Sequence, residues 1–340
     1  MSQNSTIRRS WVLQQRPSGT PTAGDFAMRE DAVPEPGPGE VVTRTIWLSI
    51  DPYMRGRLRE QQTYAVAIQI GEVMTGETVG EVIASGDPRL APGDVVVGAR
   101  GWQTHCLTPG DRLVKLDRRG ARLSAYLGVL GMPGATAYRG ITEICQPKPG
   151  ETVVISAASG AVGSVAGQLA KRAGARVVGI AGGAEKCLFV QETLGLDDCI
   201  DHRSMDLRRE LLTCCPNGID GYFENVGGAV QAAVFDLLNP FARVAMCGMV
   251  SQYNEAEFPP GPNLGFVVGK RVQIQGFIVS DKPEKLAEWR ALAAPWVADR
   301  SLAYREDVHE GLEQAPDALA GILGGQNFGK LLVRVGDDPR

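Results

Sequence analysis

The stretch TVVISAASGAVGSVAGQLAKRAGARVVGIAGG, residues 152–183, constrains this chain more than any other part of it. Thr152 to Ser156 read as a buried strand that runs into Ala158-Ser-Gly160-Ala161-Val162-Gly163. From there Val162, Val165, Ala166, Leu169 and Ala170 recur at the spacing of one buried helix face, and a second β-branched run follows from Arg176 to Ala181. In a strand–turn–helix of this kind, Gly160 lets the backbone approach a pyrophosphate and Gly163 lets helix and strand pack closely. The helix amino terminus then offers free N–H groups to the phosphates. A bare GxxG is also what a plain tight turn looks like, so the strands and helix around it carry the dinucleotide reading.

The pattern continues. Further strands are expected at Gly221 to Val226, Arg243 to Gly248 and, more weakly, Cys199 to Asp201, with QIQGFIVSD at 273–281 as a sixth. Val230, Val234, Leu237 and Leu238 mark another helix face. Strands alternating with helices imply a parallel sheet covered on both faces, an α/β fold. The acid that normally ends the second strand and binds the adenosine ribose is replaced by Gly182-Gly183. A carboxylate there repels a 2′-phosphate, whereas glycines leave room for one, and Lys186 stands three residues on to pair with it. A solvated lysine at a helix start, beside Glu185, is the plain alternative.

Before this region, from Trp11 to about Leu116, short β-branched runs alternate with Gly and Pro, as in EVVTRTIWLSID, GETVGEVIAS and PGDVVVGAR. That texture predicts a mostly antiparallel, barrel-like domain. After helical stretches around 284–298 and 312–324, QNFGKLLVRV reads as a strand able to complete it. The expected division is residues 1–125 with about 300–340 in one domain and 126–299 in the other. A net charge of −4 supplies no basic field for nucleic acid. The seven cysteines form no CxxC pair and read as reduced thiols, and no apolar run reaches membrane-spanning length, so the expected compartment is the cytoplasm.

Read together, LSIDPYMRGR, GMPGATAY, AASGAVGS, FENVGG, GMVSQYN, QGFIVSD and QNFGKLLV resemble, in order and over nearly the whole chain, the medium-chain dehydrogenase/reductase superfamily. Within it the likeness is to the zinc-independent group of leukotriene B4 dehydrogenases, prostaglandin reductases, alkenal double-bond reductases and curcumin reductase. The resemblance implies a Rossmann doubly wound parallel sheet domain inserted in a GroES-like β-barrel domain. It also implies a homodimer, and NADPH reduction of the carbon–carbon double bond of an α,β-unsaturated aldehyde or ketone. Zinc-dependent relatives carry a cysteine and a histidine near DPYM; here Tyr53 and Met54 stand there, and the adjacent His105 and Cys106 cannot build a three-ligand site, so no metal is expected.

Carried over residue by residue, the resemblance makes Tyr253 of GMVSQYN the catalytic candidate. A phenol stays neutral near pH 7, its reference pKa being about 10, and can donate to a developing oxyanion; shaping the pocket is the alternative role. Tyr53 and Tyr64 are expected to line the substrate pocket and Arg55 to be structural. Cofactor contacts are expected from Met132, Thr136, Asn225, Cys247, Gly248, Phe277, Val279 and Asn327, beside the turn Ala158, Gly160, Ala161, Val162 and Gly163 and the adenosine end at Gly182 and Lys186. Where the family usually has a tyrosine near the adenosine ribose, this chain has His202 followed by Arg203. A histidine still donates to a phosphate, with a stronger pH dependence. The competing readings are a quinone reductase, for which Tyr253 is dispensable, and a non-catalytic NADPH-binding redox sensor.

Overall fold

The computed structural model describes residues 7–60, 66–118, 120–257 and 259–339; Tyr64 lies outside them. The chain divides into two compact units, Met1–Leu127 with Asp307–Asn327 and Leu331–Arg340, and Gly128–Glu306 with Phe328–Lys330.

The first unit opens with an antiparallel ribbon of β1 (Ile7–Leu13) and β2 (Phe26–Ala32). It continues through β3 (Glu40–Ser49), a four-residue helix α1 (Met54–Arg57), β4 (Glu77–Ser85), β5 (Val95–Ala99), β6 (His105–Pro109) and β7 (Val114–Lys115). β3 pairs antiparallel with both β4 and β6, and its EVVTRTIWLS run is almost continuously covered rather than alternating. In the DPYMR block Met54 is buried in the core with Leu48, Ile50 and Trp102, and Arg55 donates from Nε to the Gly19 carbonyl at 3.1 Å.

In the second unit α2 (Met132–Arg139) precedes the alternation β8 (Thr152–Ser156), α3 (Gly163–Arg172), β9 (Arg176–Ala181), α4 (Ala184–Leu188), β10 (Asp198–Asp201), α5 (Leu207–Cys214), β11 (Ile219–Glu224), α6 (Gly228–Asp236), β12 (Leu238–Met246), α7 (Gly265–Lys270), β13 (Gln273–Gly276) and α8 (Glu284–Ala298). The six strands form one parallel sheet in the order β10-β9-β8-β11-β12-β13. This is the doubly wound order, with the reversal beside β8, the place where sheets of this kind take their ligand. The chain then returns through β14 (Glu306–Glu310), α9 (Ala315–Leu323) and β15 (Lys330–Arg334); β15 pairs antiparallel with β3, Leu332 opposite Ser49. The fold is thus a Rossmann domain inserted in a barrel-like antiparallel one. No helix among the described residues is long and apolar enough to cross a membrane.

Several expected boundaries move, each for a visible reason. Leu237 and Leu238 do not belong to a helix face: α6 stops at Asp236, and Leu238 already pairs with Ile219 in the sheet. Pro240 forces extended backbone on the residue before it, and the strand then passes an irregular stretch, with Phe241 at φ 67°, before resuming at Arg243. β11 runs from Ile219 to Glu224 rather than from Gly221 to Val226. QIQGFIVSD is not one strand. Pairing ends at Gly276, Phe277 turns into the core edge-on to Phe223, and Val279–Asp281 form a 3₁₀ turn whose neighbouring Ile278 carbonyl is taken by Arg139. The helix expected at 312–324 opens with a separate 3₁₀ turn, Leu312–Gln314. Val162 stands at the N-cap of α3, half-buried, rather than on its buried face.

Candidate active site

β8 ends at Ser156, and the chain turns sharply through Ala157, which holds a left-handed φ of 49°, a conformation that costs a non-glycine residue about 1 kcal/mol or more. Gly163 completes the turn by close approach: a Cβ there lies 2.3 Å from the Ala157 carbonyl oxygen. Gly160 is less confined, its nearest neighbour being the same oxygen at 3.2 Å. Ala158 is fully buried and donates its N–H to Ile180, tying the turn to β9. The N–H groups of Ala161, Val162 and Gly163 have no protein acceptor among the described residues. They point from the first turn of α3, the arrangement that accepts an anion.

Behind the turn lies a buried polar network that the sequence did not advertise. The Ser156 hydroxyl lies 3.0 Å from Glu224 Oε1 and accepts the Asn225 N–H at 2.8 Å. Glu224, with no exposed surface, also accepts the N–H groups of Val226 and Gly227 on Oε1 at 2.7 and 3.1 Å. Asn225 itself donates from Nδ2 to the Ser156 carbonyl at 2.7 Å, so its amide clamps the end of β11 to the end of β8. The only sequence signal for Glu224 is an acid directly after the apolar Tyr222-Phe223 pair of β11.

Cys247 and Gly248 follow β12, and both N–H groups are given to the Glu224 carbonyl. Burial pushes the Cys247 thiol up to about 12, so it is no nucleophile at neutral pH. Tyr253 ends a 3₁₀ turn, Val250–Gln252, which folds its hydroxyl back over this strand end. The phenol oxygen accepts the Met249 N–H at 3.4 Å and lies 2.9 Å from where a Cβ on Gly248 would stand. Asn225, Cys247, Gly248 and Tyr253 are therefore gathered at adjoining strand ends. Met132 begins α2, and Thr136 Oγ1 donates to the Met132 carbonyl at 2.8 Å. Phe277 is engaged in the core, against Phe223 and beneath Arg139. Tyr53 and Asn327 belong to the first unit, where Tyr53 packs on the Leu48–Trp102 core.

The adenosine end differs from the sequence expectation in one respect. The space above Gly182 and Gly183 is filled: the His202 ring and the Arg203 guanidinium lie over the two glycines. Asp201, also missed, ties the loops together by accepting the Gly183 N–H at 2.9 Å and the Arg203 N–H at 3.0 Å on one oxygen. The Arg203 N–H, first among its partners, holds the Asp201 carboxyl below its usual range. Lys186 is half-buried on α4. A cavity of about 490 Å³ between β10 and α5, lined by Asp198, Cys199, Ser204, Met205 and Arg209 among others, includes none of the expected site residues.

Residues 9–116 match the N-terminal domain of oxidoreductase family and residues 161–299 the zinc-binding dehydrogenase family. The chain is 48% identical to the NADPH-dependent curcumin reductase of Escherichia coli, covering 99% of this chain and all of that one. It is 40% identical to the NADP-dependent 2-alkenal reductase of Nicotiana tabacum, over 95% and 96% of the two chains. Among solved structures, that of CurA from Vibrio vulnificus in complex with NADPH matches with a TM-score of 0.92 at 45% identity, covering 97% of this chain and all of the other. The zinc implied by one family description does not fit the donors here. His105 and Cys106 are consecutive in β6 and face opposite sides of the strand, His105 Nδ1 against the Thr104 hydroxyl and Cys106 Sγ against that of Thr108. Among the described residues no three His, Cys, Asp or Glu side chains gather to hold a metal ion.

Proposed function

The chain belongs to the zinc-independent branch of the medium-chain dehydrogenase/reductase superfamily, in the alkenal and prostaglandin reductase group, and from that premise we propose that it reduces the carbon–carbon double bond of α,β-unsaturated ketones and aldehydes with NADPH. The observation that carries the reading is the pairing, within one unit, of an open N–H cradle at α3 with a tyrosine hydroxyl folded over the end of β12.

The cradle is of the kind a dinucleotide fills: three backbone N–H groups stand at the start of α3, and Gly163 lets the turn close tightly behind them. Ala161, Val162 and Gly163 bind the pyrophosphate, and Lys186, His202 and Arg203 the 2′-phosphate. Asn225, Cys247 and Gly248 border the nicotinamide half, as do Met132, Thr136, Phe277 and Val279. The bound reduced nicotinamide supplies a hydride to the β-carbon. Tyr253 donates a hydrogen bond to the carbonyl oxygen as negative charge develops there, which lowers the barrier without a metal, and the enolate then takes a proton from water at its α-carbon to complete the reduction.

The test is loss of NADPH absorbance across a panel of enones, enals and quinones, run with NADPH and NADH side by side. Turnover of enones or enals is expected. No turnover on them, or quinones as much the better substrates, overturns the reading. In the same assay Lys186→Ala is expected to raise KM for NADPH about tenfold, the worth of one charge-assisted phosphate contact, and to leave KM for NADH within about twofold. Equal losses for both remove Lys186 from the phosphate site.

The protein is further read as a homodimer. β13 is an edge strand with all four residues exposed, flanked by Val268 at 81% exposure, the type of unpaired edge that a second copy covers. Light scattering is expected to give twice the chain mass of 36.3 kDa; a species at the single mass rules the dimer out.

A further inference from the structure

A fully buried carboxylate that takes no part in the chemistry above stands at the end of β11. Glu224 turns a single oxygen toward three donors: Oε1 accepts the Val226 N–H at 2.7 Å and the Gly227 N–H at 3.1 Å, and lies 3.0 Å from the Ser156 hydroxyl. Oε2 has no partner among the described residues. An apolar side chain of similar size fills the same space without the cost of burying an acid, but leaves the two loop N–H groups without an acceptor. The place of one oxygen is therefore what this residue type supplies.

The loop held by that oxygen is the seat of another. The Asn225 carbonyl accepts the Val250 N–H at 3.1 Å, and the Val226 carbonyl accepts both the N–H and the hydroxyl of Ser251, at 2.9 and 2.6 Å. Gly227 and Gly228, at φ 79° and 58°, pack against the same turn: a Cβ on Gly227 would stand 3.1 Å from Met249 Cβ, and one on Gly228 3.1 Å from Ser251 Oγ. Val250–Gln252 is the 3₁₀ turn that delivers Tyr253, whose N–H is taken by the Val250 carbonyl at 3.2 Å. On the premise that Tyr253 is the donor to the substrate oxygen, we propose that Glu224 is its positioning residue: the carboxylate fixes residues 225–228, and these fix the turn that aims the phenol. A misplacement of about 1 Å at a reacting group costs up to about a hundredfold in rate, so the rate is sensitive to a side chain closed off from solvent.

A double-mutant cycle on kcat for an enone, run on the full chain, separates aiming from general support of the fold. Ser251→Ala cuts the exposed link between the two loops and is expected to lower kcat about fivefold, the worth of one hydrogen bond. Glu224→Gln keeps an acceptor oxygen where Oε1 stands and is expected to retain about a third or more of kcat, whereas Glu224→Leu removes it and is expected to lose about tenfold or more. In a Tyr253→Phe background there is no hydroxyl left to misplace, so Ser251→Ala and Glu224→Leu are each expected to cost less than about twofold further. If Tyr253→Phe alone is impaired and the losses multiply in full, the positioning role is overturned and the Tyr253 mechanism stands. Equal losses in Glu224→Gln and Glu224→Leu also overturn it, since the acceptor is then not what matters. If Tyr253→Phe alone keeps full kcat, the donor reading falls and the positioning role falls with it. Should Glu224→Leu fail to fold, Glu224→Gln and the Ser251→Ala cycle decide the question.

Discussion

Replacing Gly163 with valine is expected to weaken NADPH binding by at least about a hundredfold and to lower the thermal midpoint by several degrees, effects that fluorescence titration and calorimetry read separately. The argument is steric. A Cβ at 163 meets the Ala157 carbonyl oxygen at 2.3 Å, the Ala157 carbonyl carbon at 2.9 Å and the Ala158 Cα at 2.9 Å. All three are backbone atoms, so no rotamer change relieves the clash. The turn itself has to move, and it starts from Ala157, already in a left-handed conformation. Displacing it shifts the Ala161, Val162 and Gly163 N–H groups away from the phosphate, and geometry at that site is worth far more than any one contact. Gly160→Ala is the control, since its Cβ meets one oxygen at the more forgiving 3.2 Å and is expected to cost less than about tenfold. Wild-type NADPH affinity in Gly163→Val removes the cradle from the cofactor site.

The contrast between those two glycines also shows what a sequence conveys. β8 and β9 are found where continuous β-branched runs place them, because strands buried on both faces leave a local signature. Where tertiary contacts decide, the signature fails. Phe277 leaves the expected strand because Phe223 offers it an aromatic neighbour 6.3 Å away, and Leu238 enters one because Pro240 and the pairing with Ile219 override helical spacing. The site divides in the same way. Gly160, Gly163 and Lys186 stand out because the residue type itself is informative at that place, and Tyr253 stands out through the family likeness of GMVSQYN. Glu224 and Asp201 do not, since their work is to accept backbone N–H groups from loops brought together by folding. The role of Gly182 is half legible: the sequence shows the lost carboxylate and hides the two side chains that take the space.

Tyr253→Phe is expected to lower kcat for enones by about 10²-fold while NADPH affinity stays within about twofold, the pattern of a donor that acts mainly as charge develops on the substrate oxygen. Removal of one atom leaves the packing of the ring in place, and the hydroxyl's contact with the Met249 N–H is long, at 3.4 Å. The loss therefore reports chemistry rather than unfolding, and an unchanged thermal midpoint checks this. Gly248→Ala supplies an independent perturbation of the same oxygen, because its Cβ would lie 2.9 Å from the phenol and push it off the strand end. That variant keeps the hydroxyl but misplaces it, so kcat is expected to fall by about tenfold or more with the tyrosine intact. Loss in both variants ties the rate to the position of the oxygen. If Tyr253→Phe retains full turnover and full cofactor affinity, the tyrosine is pocket wall. The mechanism then needs another donor for the carbonyl oxygen, and a substrate such as a quinone, for which this hydroxyl is dispensable, becomes the better account of the site.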